Sequence, residues 1–246
     1  MYALIRQIFD GIEDMASDSY YGRKILAAYR SYGARYEFCR FYSCESENCG
    51  AGLIHVYYGS MVIDGCADPS EAESFIDMLK PMNVEISVER PIGISGYRAV
   101  PRTLFRVVPQ DTELTFSDLI VNGDLTSCYK ILREGFENMS AFDSWYVDIS
   151  HRIRHKTAAV YLWENSTVTK AFDIDGYVFL SHIATAAEAR GQGRARKMLY
   201  CIAGQLASEG KTGYLFALEH RRSFYESIGF APAGKDLIYE LDTDGG

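Results

Sequence analysis

A glycine-containing basic segment in the second half of the chain is the part of the sequence best suited to chemistry. Arg190-Gly191-Gln192-Gly193-Arg194-Ala195 follows a predicted strand, Tyr177–Thr185, and opens a predicted amphipathic helix, Gly193–Ser208. Glycines permit a tight turn and a close backbone approach, and the unpaired N–H groups of a first helical turn attract anions. Arg196 and Lys197 add to the positive charge of Arg190 and Arg194. The segment therefore predicts a phosphate-binding loop.

The spacing of the two glycines excludes two common nucleotide-binding loops. The sequence lacks G-x-x-x-x-G-K-[ST], and Arg196 stands where the third glycine of G-x-G-x-x-G would fall. The segment instead fits [Gln/Arg]-x-x-Gly-x-[Gly/Ala], and Ser223-Phe-Tyr-Glu-Ser-Ile-Gly-Phe230 follows downstream after one predicted strand. In this order, the two motifs resemble the coenzyme A loop and the closing motif of the GCN5-related N-acetyltransferase (GNAT) family.

This resemblance, which covers about Phe116–Leu241, implies an acyltransferase with acetyl-CoA as co-substrate. It implies direct transfer of an acetyl group to a primary amine of a small molecule or peptide. The cofactor-binding residues that it implies are Ile183, Ala184 and Thr185 for the pantetheine arm, and Arg190, Gly191, Gly193, Arg194 and Ala195 for the pyrophosphate. Tyr225 would be the catalytic acid that protonates the departing thiolate, since a phenol can serve as a general acid.

The sequence departs from the family at the general base. Many GNAT enzymes place a Glu or His two or four residues before the position of Ile183, where this chain has Ser181 and Phe179. The candidates for the base are an ordered water or one of four side chains: Asp148, Glu164, His182 and Glu219. His182 alternates with Ser181 along the strand, so it is expected to point away from the substrate and to be structural.

Two alternatives to an acetyltransferase stay open, and the missing base motivates only the first. One is a non-catalytic acyl-CoA-binding or regulatory module, although the retention of Tyr225 argues against it. The other is an aminoacyl or peptidyl transferase built from two such domains. The chain is short for that function, and its net charge of −8 disfavours a transfer-RNA donor.

The mixed order of strands and helices predicts an α/β fold. The resemblance implies a mixed, mostly antiparallel GNAT-type sheet flanked by helices, and because the order of elements runs twice, two tandem GNAT-like domains are expected. The sequence predicts a degenerate GNAT-like domain over residues 1–110 and the acetyl-CoA-binding catalytic domain over 111–246. The elements predicted in the first are a helix (Asp18–Tyr32), strands (Arg35–Cys44, Gly52–Ile63), a helix capped by Asp68, and strands (Asn83–Glu89, Thr103–Val108). In the second domain, the elements predicted before the glycine loop are a strand (Phe116–Val121), a helix capped by Asp124, a further helix and a strand pair (Thr157–Trp163, Val168–Ile174). A capping box at Ser140 opens the further helix, whose predicted buried face consists of Phe142, Trp145, Tyr146, Ile149 and Ile153.

Composition narrows the class of protein further. Hydrophobic residues make up 48% and charged residues 24% of 246 residues, which is typical of a globular chain. The acidic balance disfavours a nucleic-acid partner. The amino terminus lacks a signal-peptide pattern and no apolar stretch is long enough to span a bilayer, so a cytoplasmic protein without a membrane partner is expected.

The cysteines and histidines predict neither disulfides nor a metal site. The six cysteines lack paired zinc spacing, so they are expected to be buried thiols in a reducing compartment. His151 and His155 could share a helix face, but they stand among Arg152, Arg154 and Lys156, which would repel a cation. The oligomeric state stays open, with a homodimer as one alternative.

Overall fold

The computed structural model describes residues 4–46, 50–65, 69–86 and 93–243. Two compact units can be distinguished. Unit N comprises Met1–Arg102 and Lys235–Gly246, and unit C comprises Thr103–Gly234. The compact units thus divide the chain after Arg102, not after residue 110 as the predicted domains do, and the end of the chain belongs to the first unit.

Unit N contains a mixed sheet with helices on its faces. Its elements are β1 (Leu4–Ile8), α1 (Ile12–Met15), α2 (Tyr20–Tyr32), β2 (Cys39–Ser46), β3 (Gly50–Tyr57), β4 (Ser60–Asp64), α3 (Pro69–Leu79) and β5 (Asn83–Ile86). The strand order is β1-β2-β3-β4-β5-β12, where β12 (Ala231–Leu241) ends the chain. The neighbours are antiparallel except for β4 and β5, which α3 connects in parallel.

Unit C repeats this order of elements. They are β7 (Ile120–Val121), α4 (Leu125–Gly135), α5 (Phe142–Arg154), β8 (Ala159–Trp163), β9 (Ser166–Ile174), β10 (Tyr177–Thr185), α6 (Arg194–Ser208), β11 (Thr212–Leu218) and α7 (Glu219–Ser227). With β6 (Tyr97–Val107), the strand order is β6-β11-β10-β9-β8-β7. The parallel pair is again the one that a helix connects, β10 and β11. Both units therefore have the order β-α-α-β-β-β-α-β, and the predicted tandem α/β fold class is confirmed.

Two hydrophobic cores hold the central strands of unit C in place. One contains Leu180 of β10 and Leu215 of β11 against Met198 and Ile202 of α6, all buried. The other contains Ala184 of β10 against residues of α4 and α5, such as Trp145. Because helices cover both faces of β10, its backbone is fixed where the site described below is built.

Several predicted elements differ from the observed ones. The predicted strand Gly52–Ile63 is two strands, since Tyr58, with a φ of 48°, and Gly59 form a turn between β3 and β4. The predicted strand Phe116–Val121 begins as a 3-10 turn, and only Ile120–Val121 pairs. A short β1 and the early part of β6, from Tyr97, were not predicted.

The start of α5 also differs from the prediction. Its N-cap is Ala141, without a side-chain hydrogen bond, so Ser140 does not form the predicted capping box. Trp145 and Ile149 are buried as predicted, but Tyr146 is 42% exposed. The predicted cap Asp68 and residues 87–89 of the predicted strand lie outside the described residues.

The cysteines that the structure describes are buried thiols, as predicted. Cys39, Cys44, Cys128 and Cys201 are buried and form no disulfide, whereas Cys49 and Cys66 are not among the described residues. Over the same described ranges, no cluster of three or more His, Cys, Asp or Glu side chains could hold a metal ion, and no helix is long and apolar enough to cross a bilayer.

A buried charge network ties the end of the chain into unit N. Glu85 on β5 accepts hydrogen bonds from Arg102 at 2.8 Å, Tyr20 at 2.9 Å and Lys24 at 2.5 Å. Arg102 also donates to Asp236 on β12, at 2.7 Å. A buried charge that loses its partner is strongly destabilising. These carboxylates therefore make unit N dependent on β12.

We expect Glu85→Gln to lower the free energy of unfolding by about 3–5 kcal/mol, the usual loss when one partner of a buried ion pair is removed. Urea titration of the full chain measures the change. The matched control is Glu240→Gln on β12, because Glu240 is 44% exposed and pairs with exposed Arg98 at 3.0 Å. That variant should lose no more than about 1 kcal/mol. Equal losses of unfolding free energy in the two variants would contradict the stabilising role of the buried charge network.

The same carboxyl predicts a loss of stability in acid. Burial raises the pKa of Glu85, but the charges and hydrogen bonds of Lys24 and Arg102 prevail and lower it to about 2. The pKa in the unfolded chain is about 4.3. Because the folded value is the lower one, this stabilisation is complete above about pH 4.3 and is lost as the pH falls to about 2. Acid titration of Glu85→Gln should show a smaller loss of stability over this window than the wild type.

Candidate functional site

The central feature of unit C is the separation of its two parallel strands. β10 pairs with β11 only from Tyr177 to Phe179, opposite Thr212 to Tyr214. β10 nevertheless continues to Thr185 and β11 to Leu218. Beyond the paired residues the two strands form no ladder, and the edge of β10 that faces this gap can accept an extended ligand as an added strand.

The other edge of β10 is held by β9. Ala184 lies opposite Thr167 and Thr185 opposite Ser166, and the hydroxyls of Ser166 and Thr185 are 2.9 Å apart. The register shifts between Ser181 and Ala184, which marks a β-bulge. The end of β10 is thus fixed on one side and open on the side of the gap.

The predicted phosphate loop begins where β10 ends. Gly191 and Gly193 have φ angles of 76° and 72°, in the left-handed region that favours glycine. Gly193 is also the N-cap of α6, and no side chain caps the helix there. The N–H groups of the first turn, starting at Arg194, are therefore available to an anion.

A single cleft of about 700 Å³ joins the gap to this loop. All nine residues predicted as the site line it, although they come from three separate parts of unit C. They are Ile183, Ala184, Thr185, Arg190, Gly191, Gly193, Arg194, Ala195 and Tyr225. The assignment of a ligand contact to each of them stays a prediction.

The arginine side chains of the loop have structural partners. Arg190 donates to the carbonyls of Thr185 and Glu134, both at 3.0 Å, and so ties the loop to the ends of β10 and α4. Arg194 donates to the carbonyl of Glu164 at 2.5 Å, and its Nε lies 3.6 Å from the carboxylate of that residue. The backbone of the loop, more than these two guanidinium groups, is therefore presented to the cleft.

Tyr225 on α7 forms part of the cleft wall. Its side chain is 8% exposed and packs against Phe105 and Phe230, with ring centroids 5.5 and 6.3 Å apart. Burial raises the pKa of the Tyr225 phenol to about 12, while the charge of Arg221 opposes the rise. The phenol is therefore protonated near neutral pH and can act as an acid.

Sequence reasoning missed part of the cleft wall. Arg221 and Phe224 on α7 line it, and Phe224 is 38% exposed. Arg221 stands four residues before Tyr225, so the helical spacing of α7 was the signal that could have identified it. No such spacing points to Phe224, the direct neighbour of Tyr225. Arg196, considered only for its charge, also lines the cleft.

None of the four candidate bases is among the side chains that line the cleft. Asp148 lies 3.9 Å from Arg152 on α5, Glu164 contacts Arg194, and Glu219 lies 3.9 Å from Arg222. His182 precedes Ile183 directly and lies in the bulge, with a φ of 46°. The predicted alternation with Ser181 is interrupted there.

No protein-family model matches the sequence, and no curated protein matches it. Solved structures do match its fold. A GCN5-related N-acetyltransferase from Sphaerobacter thermophilus has 12% identity and a TM-score of 0.60, and the match covers 96% of this chain and 94% of that one. The chain has the GNAT fold.

Two further structures support this finding. A putative GNAT-family acetyltransferase from Novosphingobium aromaticivorans is 17% identical with a TM-score of 0.52, over 71% of this chain and 81% of that one. A tandem GNAT protein from the clavulanic acid biosynthesis pathway is 11% identical with a TM-score of 0.52, over 96% and 97% of the two chains. The tandem arrangement agrees with the repeated order of elements in units N and C.

The loop geometry yields a test of the anion cradle, the name used here for the loop Arg190–Ala195 together with the N–H groups of the first turn of α6. An aspartate in place of Gly193 would add a negative charge at the N-terminus of α6, against Arg196 at 3.2 Å from the added Cβ. We expect Gly193→Asp to weaken binding of coenzyme A, the ligand implied by the motif, at least about tenfold, or about 1.4 kcal/mol. Isothermal titration calorimetry measures the change.

The matched control is Gly210→Asp at the other end of α6. Gly210 has a φ of 70°, close to that of Gly193, and open space around its Cβ position. The control therefore carries the same charge and a similar backbone strain away from the cleft, and it should retain wild-type affinity. Equal loss of affinity in both variants would contradict the cradle.

Proposed function

We propose that the protein is an N-acetyltransferase that transfers the acetyl group of acetyl-CoA to a primary amine of a small molecule or peptide. The observation that carries the proposal is the single cleft in which the open edge of β10, the uncapped start of α6 and Tyr225 meet. The GNAT fold supports it independently.

The cleft suits coenzyme A in both shape and charge. The pyrophosphate would accept hydrogen bonds from the backbone N–H groups of Gly191, Gly193, Arg194 and Ala195. The amide groups of the pantetheine arm would pair with Ile183 to Thr185 as an added strand does. With the phosphates at α6, this direction puts the thioester near Ile183, at the end of the gap away from the loop.

In the proposed reaction, the amine attacks the thioester of acetyl-CoA directly. The amine nitrogen attacks the carbonyl carbon, and a carbon–nitrogen bond forms while charge develops on the carbonyl oxygen. A backbone N–H in the bulged part of β10 can stabilise this oxygen, a contribution of about 3–4 kcal/mol for one such donor. The carbon–sulfur bond then breaks, and the thiolate takes a proton from the Tyr225 hydroxyl. The nitrogen releases one proton to solvent, and Tyr225 regains one proton from solvent.

A second candidate function is a non-catalytic acyl-CoA-binding module. It is favoured by Phe179, which is 7% exposed and stacked on Phe172 at 5.4 Å, where many family members have a base. The two functions differ in turnover. We expect free thiol from acetyl-CoA in the presence of an accepted amine, in a screen of amino acids, polyamines, amino sugars and peptide amino termini. Binding of acetyl-CoA without thiol release from any of them would favour the module.

Tyr225→Phe tests the acid directly. The hydroxyl acts only when the carbon–sulfur bond breaks, so its loss should lower kcat by ~10²–10⁴, the span for a positioned acid, and leave the KM for acetyl-CoA nearly unchanged. Steady-state kinetics measure both constants. Because the ring stays in place, the melting temperature should barely change.

The control for this variant is Tyr200→Phe in α6. The Tyr200 hydroxyl donates to the carbonyl of Ile228 at 2.9 Å, so its loss should cost about 1 kcal/mol of stability. Its kcat should stay at the wild-type value. A Tyr225→Phe enzyme with the wild-type kcat would show that Tyr225 is only a packing residue.

A further inference from the structure

We propose that unit C has a second binding site, in a cavity separate from the cleft, for a small organic anion that carries a carboxylate on an apolar body the size of one ring. The cavity has a volume of about 290 Å³, and residues of β8 and of the second half of α6 line it. It shares no lining residue with the cleft. Binding there would not depend on the proposed acetyl transfer.

Much of the cavity wall is apolar. Ile202 and Leu206 of α6 and Ala159 of β8 are buried, and Phe116, from the 3-10 turn before β7, adds an aromatic ring. A cavity of about 150 Å³ with an apolar wall is large enough to hold benzene. The larger volume observed here therefore leaves room for a ring and a carboxylate.

A buried hydroxyl in the wall indicates that the ligand must accept a hydrogen bond. Tyr161 on β8 lines the cavity and is only 5% exposed. Within the residues that the structure describes, its hydroxyl forms no hydrogen bond. Burial, followed by the charges of Glu209 and Asp173, raises the pKa of the phenol to about 12, so the hydroxyl keeps its proton. A buried donor without an acceptor is costly, and a ligand oxygen would remove that cost.

The other polar side chains of the wall also leave donors over. The Oδ1 of Asn122 accepts from the Val160 N–H at 2.8 Å, so the NH₂ group of this amide remains as a donor. The carboxylate of Glu209 already accepts from Gln205 at 2.7 Å and from Lys211 at 2.9 Å. The wall is therefore suited to an acceptor, and a carboxylate is an acceptor only.

The charges around the cavity favour an anion. Lys156 lines it, is exposed, and forms no ion pair in the described part of the chain. Lys170 also lines it and lies 3.7 Å from Asp173, which Lys211 contacts more closely, at 2.9 Å. With Glu209, these five side chains carry one positive charge in excess. A ligand carboxylate would balance this charge and accept the hydrogen bond of the buried phenol.

Three probes with one ring and different head groups test the site. 4-Fluorobenzoate, 4-fluorobenzamide and 4-fluorobenzylamine are each titrated into the full-length protein, and ¹⁹F NMR of the probe measures binding. We expect 4-fluorobenzoate to bind and the neutral amide to bind at least ~tenfold more weakly, a difference of about 1.4 kcal/mol. The cationic amine should not bind. No binding of 4-fluorobenzoate, or equal affinity for all three probes, would overturn the proposal.

Two variants locate the probe. Tyr161→Phe should weaken the binding of 4-fluorobenzoate by ~10–100-fold, because it removes a hydrogen bond to a charged group. Its melting temperature should not fall, since the ring stays and the hydroxyl has no partner among the described residues. Lys156→Gln, an exposed position where folding is not at risk, should weaken 4-fluorobenzoate and leave 4-fluorobenzamide unchanged.

The matched controls remove the same groups away from the cavity. Tyr200→Phe removes a hydroxyl that donates to the carbonyl of Ile228, and Lys130→Gln removes an exposed ammonium group on α4. Both should keep the wild-type affinity for 4-fluorobenzoate. Wild-type affinity in Tyr161→Phe and Lys156→Gln as well, or displacement of the probe by coenzyme A, would show that the probe binds elsewhere and would overturn the proposal.

Discussion

The early end of pairing between β10 and β11 is the constraint on which the site depends. Every N–H and C=O on a strand needs a hydrogen-bond partner, and after Phe179 the edge of β10 that faces β11 has no partner on that strand. The opposite edge is paired with β9, and helices pack on both faces of β10, so the strand cannot close the gap by moving. An extended ligand with alternating amide groups would satisfy the open edge, as the pantetheine arm of the proposed co-substrate would.

The position of the anion cradle follows from the same pair of strands. Because β10 and β11 are parallel, a helix has to connect the carboxyl end of one to the amino end of the other. The start of α6 must therefore lie at the carboxyl end of β10, which is also the end where the strands diverge. Topology thus brings the helix N-terminus, with its positive partial charge, to the open strand edge, and the glycines let the backbone turn there without side chains in the way.

The sequence predicts best where the signal is local. The bounds of α6 follow from helical periodicity and the glycine before it, and they agree with the structure. Features that depend on distant residues were missed. Glu85 and Arg102 are typical of solvated residues in the sequence, but they are buried together because β12 brings Asp236 to them. The bulge at His182 was missed for the same reason, since it depends on how β10 packs between two cores.

The repeat also explains why the cradle is expected in one unit. In unit N, the corresponding segment between β4 and α3 is Gly65-Cys66-Ala67-Asp68, which is shorter than residues 186–193 and carries an acid in place of the arginines. Glu71 and Glu73 follow in the first turns of α3, and negative charges at a helix N-terminus repel phosphate. In unit N, the buried charge of Glu85 on β5 is instead satisfied within the protein, by Arg102 and Lys24. The same order of elements is thus expected to carry an anion-binding loop in unit C only, and the residues that follow the fourth strand of each repeat make the difference.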